Sequence, residues 1–149
     1  MKKLLIASLL IATTIFTANA QYTKLLDFSG TANGSTPYGS LIAVGTFLYG
    51  MTNSGGISDY GVIFKIKPDG TGYAKLYNFP INSSNGAYPA YSSLIYDGTF
   101  LYGMTRTGGG INGDGVIFKI KPDGTGYAKL LAFSGAANGS SPDGALIYD

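Results

Sequence analysis

The chain has 149 residues, 23 of them glycine, and it contains no cysteine and no histidine. That composition leaves no disulfide framework, no thiolate chemistry, no zinc-type ligand set and no Ser-His-Asp device. The formal charge of +2 comes from Lys2 and Lys3 at the start, and beyond them eight basic side chains balance eight acidic ones, which argues against a nucleic-acid or anionic-membrane partner.

Residues 1–20 read as a secretory signal peptide. Lys2 and Lys3 form a charged start, Leu4 to Thr17 is an apolar stretch, and Ala18-Asn19-Ala20 is a small-residue cleavage site. The apolar run is shorter than the ~20 residues that span a bilayer, so no membrane span is expected once the signal is removed. The mature chain is expected to start at Gln21 and to be secreted or held at the cell surface.

From there the chain alternates short apolar strands with glycine-rich turns. All eight acids are Asp and none is Glu, a bias toward turns and away from helices. Tyr22–Phe28 (YTKLLDF) is a strand candidate, followed by a joint with Asn33-Gly34 and Pro37. The joint recurs at Asn85-Gly86 with Pro89 and at Asn138-Gly139 with Pro142. Asn-Gly supplies a tight turn and Pro cannot donate to a ladder, so strands end there. After each joint comes a Leu-Ile strand, at Leu41–Val44, Leu94–Tyr96 and Leu146–Tyr148. A turn then leads into GTFLYGMT, written at Gly45–Thr52 and again at Gly98–Thr105. In that strand Phe47, Tyr49 and Met51 share one face. Loops Asn53–Tyr60 and Arg106–Asp114 join it to GVIFKIKPDGTG, which stands letter for letter at Gly61–Gly72 and Gly115–Gly126. Lys-Pro-Asp-Gly within it predicts a turn, and the strands Tyr73–Phe79 and Tyr127–Phe133 follow.

The period is about fifty residues, the span of propeller and other repeat units. Four short strands per period predict an all-β fold, a β-propeller-type array of four-stranded blades; a solenoid is the alternative. The expected organisation is a signal peptide at 1–20 and a partial repeat domain at 21–149, with units 22–72, 73–126 and a truncated 127–149. About two and a half repeats make an open fragment. The further blades would come from missing chain or from self-association, and Leu146–Tyr148 would be an exposed edge strand.

The combination of LYGMT, a Gly-Gly loop, GVIFKIKPDGTGY and KLxxF resembles the tandem GloVer repeat of secreted bacterial proteins, similar in unit length to kelch-type blades. The resemblance covers nearly all of Tyr22 to Asp149. It implies an exported bacterial protein with a propeller-like array, often surface-attached through a separate C-terminal module, and it brings no catalytic or ligand residues with it.

The internal repeat also filters candidate sites, because a residue that serves the unit should recur and one that serves a single site need not. Asp69 and Asp123 recur and belong to their turns. Gly108–Gly113 matches G-x-G-x-x-G, but a strand rather than a helix follows, so no dinucleotide site is expected. Asn33, Asn82 and Asn138 open sequons that read as loop markers. No cofactor and no metal is expected, since a calcium loop ends in a Glu this chain lacks. Tyr49 and Tyr102 are expected to pack between blades. The ligand-binding candidates are the loop residues Tyr38, Tyr60, Tyr88, Tyr91, Arg106 and Asp114, where aromatic rings could stack on a sugar or peptide.

The chain therefore reads as a secreted, non-enzymatic repeat protein whose loops bind an extracellular glycan or protein. The alternatives are a scaffold fragment of a larger secreted enzyme whose catalytic part is absent, and a structural surface spacer.

Overall fold

A computed structural model describes residues 21–80, 84–110 and 112–147. The expected signal peptide at 1–20, the sequon residue Asn82 and the last two residues, Tyr148 and Asp149, lie outside the described residues. The described chain is all-β and contains no helix. Its strands are β1 (Ile42–Val44), β2 (Phe47–Thr52), β3 (Val62–Ile66), β4 (Ala74–Asn78), β5 (Ile95–Tyr96), β6 (Leu101–Thr105), β7 (Val116–Ile120) and β8 (Ala128–Ala132). They form two four-stranded sheets in chain order, β1-β2-β3-β4 and β5-β6-β7-β8, and every neighbour is antiparallel.

The repeated letters produce repeated geometry down to the irregularities. In the first sheet Gly50 stands opposite Phe64, and in the second Gly103 stands opposite Phe118. Each glycine leaves the room that its phenylalanine ring fills. A methyl built on Gly50 would lie 2.9 Å from Phe64 Cζ, and one on Gly103 would lie 2.7 Å from Phe118 Cζ. The register of β3 on β4 shifts between Ile63 and Phe64, and that of β7 on β8 shifts at the matching Ile117 and Phe118. At the turns, the Asp69 carboxylate accepts from Thr71 N–H at 2.9 Å and from Thr71 Oγ1–H at 2.7 Å. Asp123 does the same with Thr125. The Thr71 hydroxyl chiefly holds the Asp69 carboxyl below its ordinary range, and the Thr125 N–H does so for Asp123. These recurrent acids are turn residues, as their recurrence indicates.

Alternation along β2 and β3 divides the first sheet into two apolar faces. Val62, Phe64 and Ile66 pack with Leu25, Leu26, Phe28, Leu48 and Tyr73. Tyr49, Met51 and Ile63 point the other way and pack on Leu94, Leu101, Val116, Phe118 and Ile120 of the second sheet. The two sheets therefore share one core. Tyr49 is buried between them, and its hydroxyl reaches the carbonyl of Pro122 at 3.4 Å. Tyr102, its counterpart, is only half-buried and donates to Asp97 Oδ2 at 2.6 Å, because among the described residues no third sheet stands on its side. The expectation that both tyrosines pack between units holds for Tyr49 alone.

An aromatic relay crosses the seam. Phe79 meets Phe118 edge-on at 5.7 Å and 69°, and Tyr127 stacks on Phe118 at 5.4 Å. Phe28, Phe64 and Tyr73 repeat this, with Phe28 to Phe64 at 5.4 Å and 69°, and Phe64 to Tyr73 at 5.9 Å. Tyr73 donates its hydroxyl proton to the Asn33 carbonyl at 2.9 Å, and Tyr127 donates to that of Asn85. Burial pushes Tyr73 up to about 12 and drives Tyr127 upward as well. Under each relay a buried threonine ties the start of the loop to β3 or β7. Thr52 Oγ1 accepts from Val62 N–H at 3.2 Å while donating to Ser54 O at 2.8 Å, and Thr105 serves Val116 and Thr107 in the same way.

Two strand expectations fail at the ends of the array. Tyr22–Phe28 forms no strand, although its side chains seat where those of β4 seat on the next sheet, because no described strand lies alongside to pair with its backbone. Leu146 and Ile147 likewise form no strand. β1 and β5 are each held by the strand that follows them through a turn, and Leu146 has no such described partner.

Phe64→Ala and Phe118→Ala should each lower stability by about 3–5 kcal/mol in urea unfolding, the range for truncating a buried phenylalanine. A buried phenol ionises only above its ordinary value of 10, so Tyr73 favours the fold fully below pH 10, and that contribution is lost as pH rises through about 12. Urea midpoints stepped from pH 9 to pH 12 should fall less steeply for Tyr73→Phe than for the parent, with about 1 kcal/mol lost at neutral pH for the missing hydrogen bond.

Candidate functional site

Strand direction sorts the loops onto two ends. The turns at Gly45-Thr46 and Pro68–Gly70 close one end of the first sheet, and the joints and the β2–β3 and β6–β7 loops gather at the other. All six candidates, Tyr38, Tyr60, Tyr88, Tyr91, Arg106 and Asp114, fall at this second end, and the fold draws them into local sets.

Tyr38 and Tyr91 occupy matching places in the first two joints and stack on each other, with centroids 5.0 Å apart and planes 15° off parallel. More than half of each side chain is open, 53% for Tyr38 and 55% for Tyr91. The joints beneath are fastened by Ser40 N–H donating to Ser93 Oγ at 2.9 Å. Tyr60 and Tyr88 form a second pair, edge to face at 5.2 Å and 87°. Burial, then the neighbouring Tyr60 and Asp59, raise the Tyr88 phenol above its ordinary value.

The backbone of Tyr88 locks the two units together. Its N–H donates to the Tyr60 carbonyl at 3.0 Å, and its carbonyl accepts from Arg106 N–H at 3.0 Å. Facing both neighbours requires a left-handed conformation, with φ at 53°. Thr36 at 51° and Ser141 at 48° hold the corresponding place before Pro37 and Pro142. Three non-glycine residues at positive φ in equivalent positions mark a built joint. In the third joint Ser141 N–H donates to the Asp114 carbonyl at 2.7 Å, so Asp114 contributes its backbone as Tyr60 does.

Arg106 extends to Asp143, with Nε 3.6 Å from Oδ1 and both side chains half-exposed. A pair this open contributes at most about 1 kcal/mol. Asp143 takes in the third joint the place that Tyr38 and Tyr91 take in the first two, so the end that is aromatic in two joints turns charged in the next. It was not among the candidates, although its failure to repeat was visible in the sequence. The loop acids also differ in role. Asp59 Oδ1 accepts Gly55 N–H at 2.7 Å, whereas in the longer second loop the Gly113 carbonyl accepts Gly108 N–H at 2.9 Å. The G-x-G-x-x-G string lies in this loop and runs into β7. Chemically, this end offers aromatic faces, phenol hydroxyls and the Arg106–Asp143 ion pair, a set suited to recognition by stacking and hydrogen bonding.

Two four-stranded antiparallel sheets written by one repeated string, with their joints and long loops gathered at one end, define a tandem all-β repeat protein. The Gloeobacter/Verrucomicrobia repeat matches residues 12–149, and the chain belongs to that family. No curated protein and no solved structure matches it.

Asp59→Ala removes the acceptor for Gly55 N–H and leaves a non-glycine residue at φ 61°. It should destabilise by about 1–3 kcal/mol. Arg106→Ala should cost less than about 1 kcal/mol in the same unfolding assay.

Proposed function

We propose that this protein is a secreted, non-enzymatic repeat whose sheets are successive blades of a propeller-type array, and that its joint end binds an extracellular glycan or protein. Two features support the blade reading: strands run in chain order within each four-stranded sheet, and one unit packs on the next through apolar faces. The observation that carries the binding reading is the stacked pair Tyr38 and Tyr91, open to solvent at the end where the variable loops gather. Large rigid rings held against each other have little conformational freedom left to lose, so they can bind a sugar ring or an apolar side chain at small entropic cost. The composition supports the absence of catalysis, since no histidine or cysteine is available as base or nucleophile.

Glycan and extracellular-protein arrays probed with the exported protein should give binding that Tyr38→Ala and Tyr91→Ala each weaken at least about tenfold, with unchanged thermal unfolding. An array without hits, or hits indifferent to both substitutions, overturns the reading. N-terminal sequencing of the exported protein should begin at Gln21, and a retained Met1 would contradict export through a cleaved signal.

A further inference from the structure

The chain has no cysteine and no tryptophan, and Met51 and Met104 are buried. Among the described residues, one-electron oxidation therefore falls on tyrosine. Of the pairs Tyr38–Tyr91, Tyr60–Tyr88 and Tyr77–Tyr127, the last is the closest, with centroids 4.0 Å apart and planes 3° off parallel. Both of its rings are half-buried, and Tyr127 is wedged against Phe79 and Phe118 with its hydroxyl held by the Asn85 carbonyl. Tyr60 and Tyr88 are also half-buried and meet at 87°, which aims the edge of one ring at the face of the other.

Tyr38 and Tyr91 combine what the other pairs lack. Their rings are near parallel at 5.0 Å, and more than half of each side chain is open to an oxidant and free to pivot. The backbones beneath cannot drift apart easily: Ser40 N–H donates to Ser93 Oγ at 2.9 Å, and a methyl on Gly39 would lie only 2.1 Å from the Ser92 carbonyl oxygen. Tyr91 itself sits at a φ of 54°, an uncommon conformation for a bulky residue. The contact is built from both units, one tyrosine from each.

We propose that Tyr38 and Tyr91 are an oxidative cross-linking site, at which hydrogen peroxide and a one-electron oxidant of the peroxidase class join the two rings and fasten one unit covalently to the next. Each phenol gives up one electron and its hydroxyl proton, and the resulting radical spreads to the ring carbons beside the oxygen. One such carbon of Tyr38 bonds to one of Tyr91. The hydrogens on those two carbons pass through water to the oxygens, which restores both phenols. Hydrogen peroxide takes up the two electrons and two protons and leaves as two water molecules, so the step balances. The new bond closes a loop one repeat long, which removes conformations from the unfolded chain as a disulfide does, in a sequence with no cysteine to form one. The reaction needs no ligand, so it is independent of what the tyrosine end binds.

The test treats the full protein, kept dilute, with a haem peroxidase and hydrogen peroxide. Tyr22 is 89% exposed, so the oxidant is raised until peptide mapping shows Tyr22 modified. A monomer lighter by two hydrogens, with dityrosine fluorescence and a map that joins Tyr38 to Tyr91, is expected. Tyr38→Phe and Tyr91→Phe keep a ring at each place but remove the phenol, and each should abolish that product, whereas Tyr96→Phe should leave its yield unchanged. The purified product should unfold at a higher urea concentration than the untreated protein. The proposal is overturned by intact Tyr38 and Tyr91 where Tyr22 is modified, by cross-links that join only other tyrosines or separate molecules, or by a product whose urea midpoint has not risen.

Discussion

The seam between the sheets depends on a phenylalanine lying across a glycine. Phe118 closes over Gly103 in its own sheet and receives Phe79 from the sheet before it, so one ring serves the packing within a unit and between units. A side chain at Gly103 would lift the ring, and the lifted ring would no longer meet Phe79. The Tyr127 ring then rests on Phe118 while its hydroxyl reaches the joint at Asn85, which fixes the angle at which the chain crosses from one sheet to the next. Three aromatic rings meet at this point, and two of them, Phe79 and Phe118, are fully buried.

Much of this was legible because strand alternation and duplication point the same way. FLYGMT matches β2 end for end, and VIFKI matches β3 and β7. The Lys-Pro-Asp-Gly turns fall where proline and glycine place them. The failures share a cause. Tyr22–Phe28 has the letters of β4, but a strand is a relation between two segments, and the letters of one carry no news of whether the other is there. Tyr102 has the letters of Tyr49, yet its burial depends on a neighbouring sheet.

The candidate site was legible to a different degree. That the loop tyrosines would share one end follows from topology, but their pairing as Tyr38 with Tyr91 and Tyr60 with Tyr88 needs the joint geometry, which turns on left-handed residues before proline. Nothing in Thr, Tyr or Ser announces a positive φ, and the residue before proline ordinarily favours extended backbone. The departure is enforced from outside. The Tyr88 N–H and carbonyl serve two different units, and both bonds close only in that conformation. Asp143 was not legible as a site residue, because it varies among the joints rather than between the β2–β3 and β6–β7 loops.

Because the second sheet's shared core is with the sheet that precedes it in the chain, cohesion among the described residues passes from neighbour to neighbour. Such an assembly is a one-dimensional lattice, in which each unit adds its own free energy and one interface term. Amide exchange would then be graded along the molecule: slowest at β3 and β7, which have partners on both sides, and fastest at Tyr22–Phe28, where only side chains hold the backbone in place. Insertion or loss of a whole unit would preserve every remaining contact type, so length in this architecture is free to drift while the seam is not.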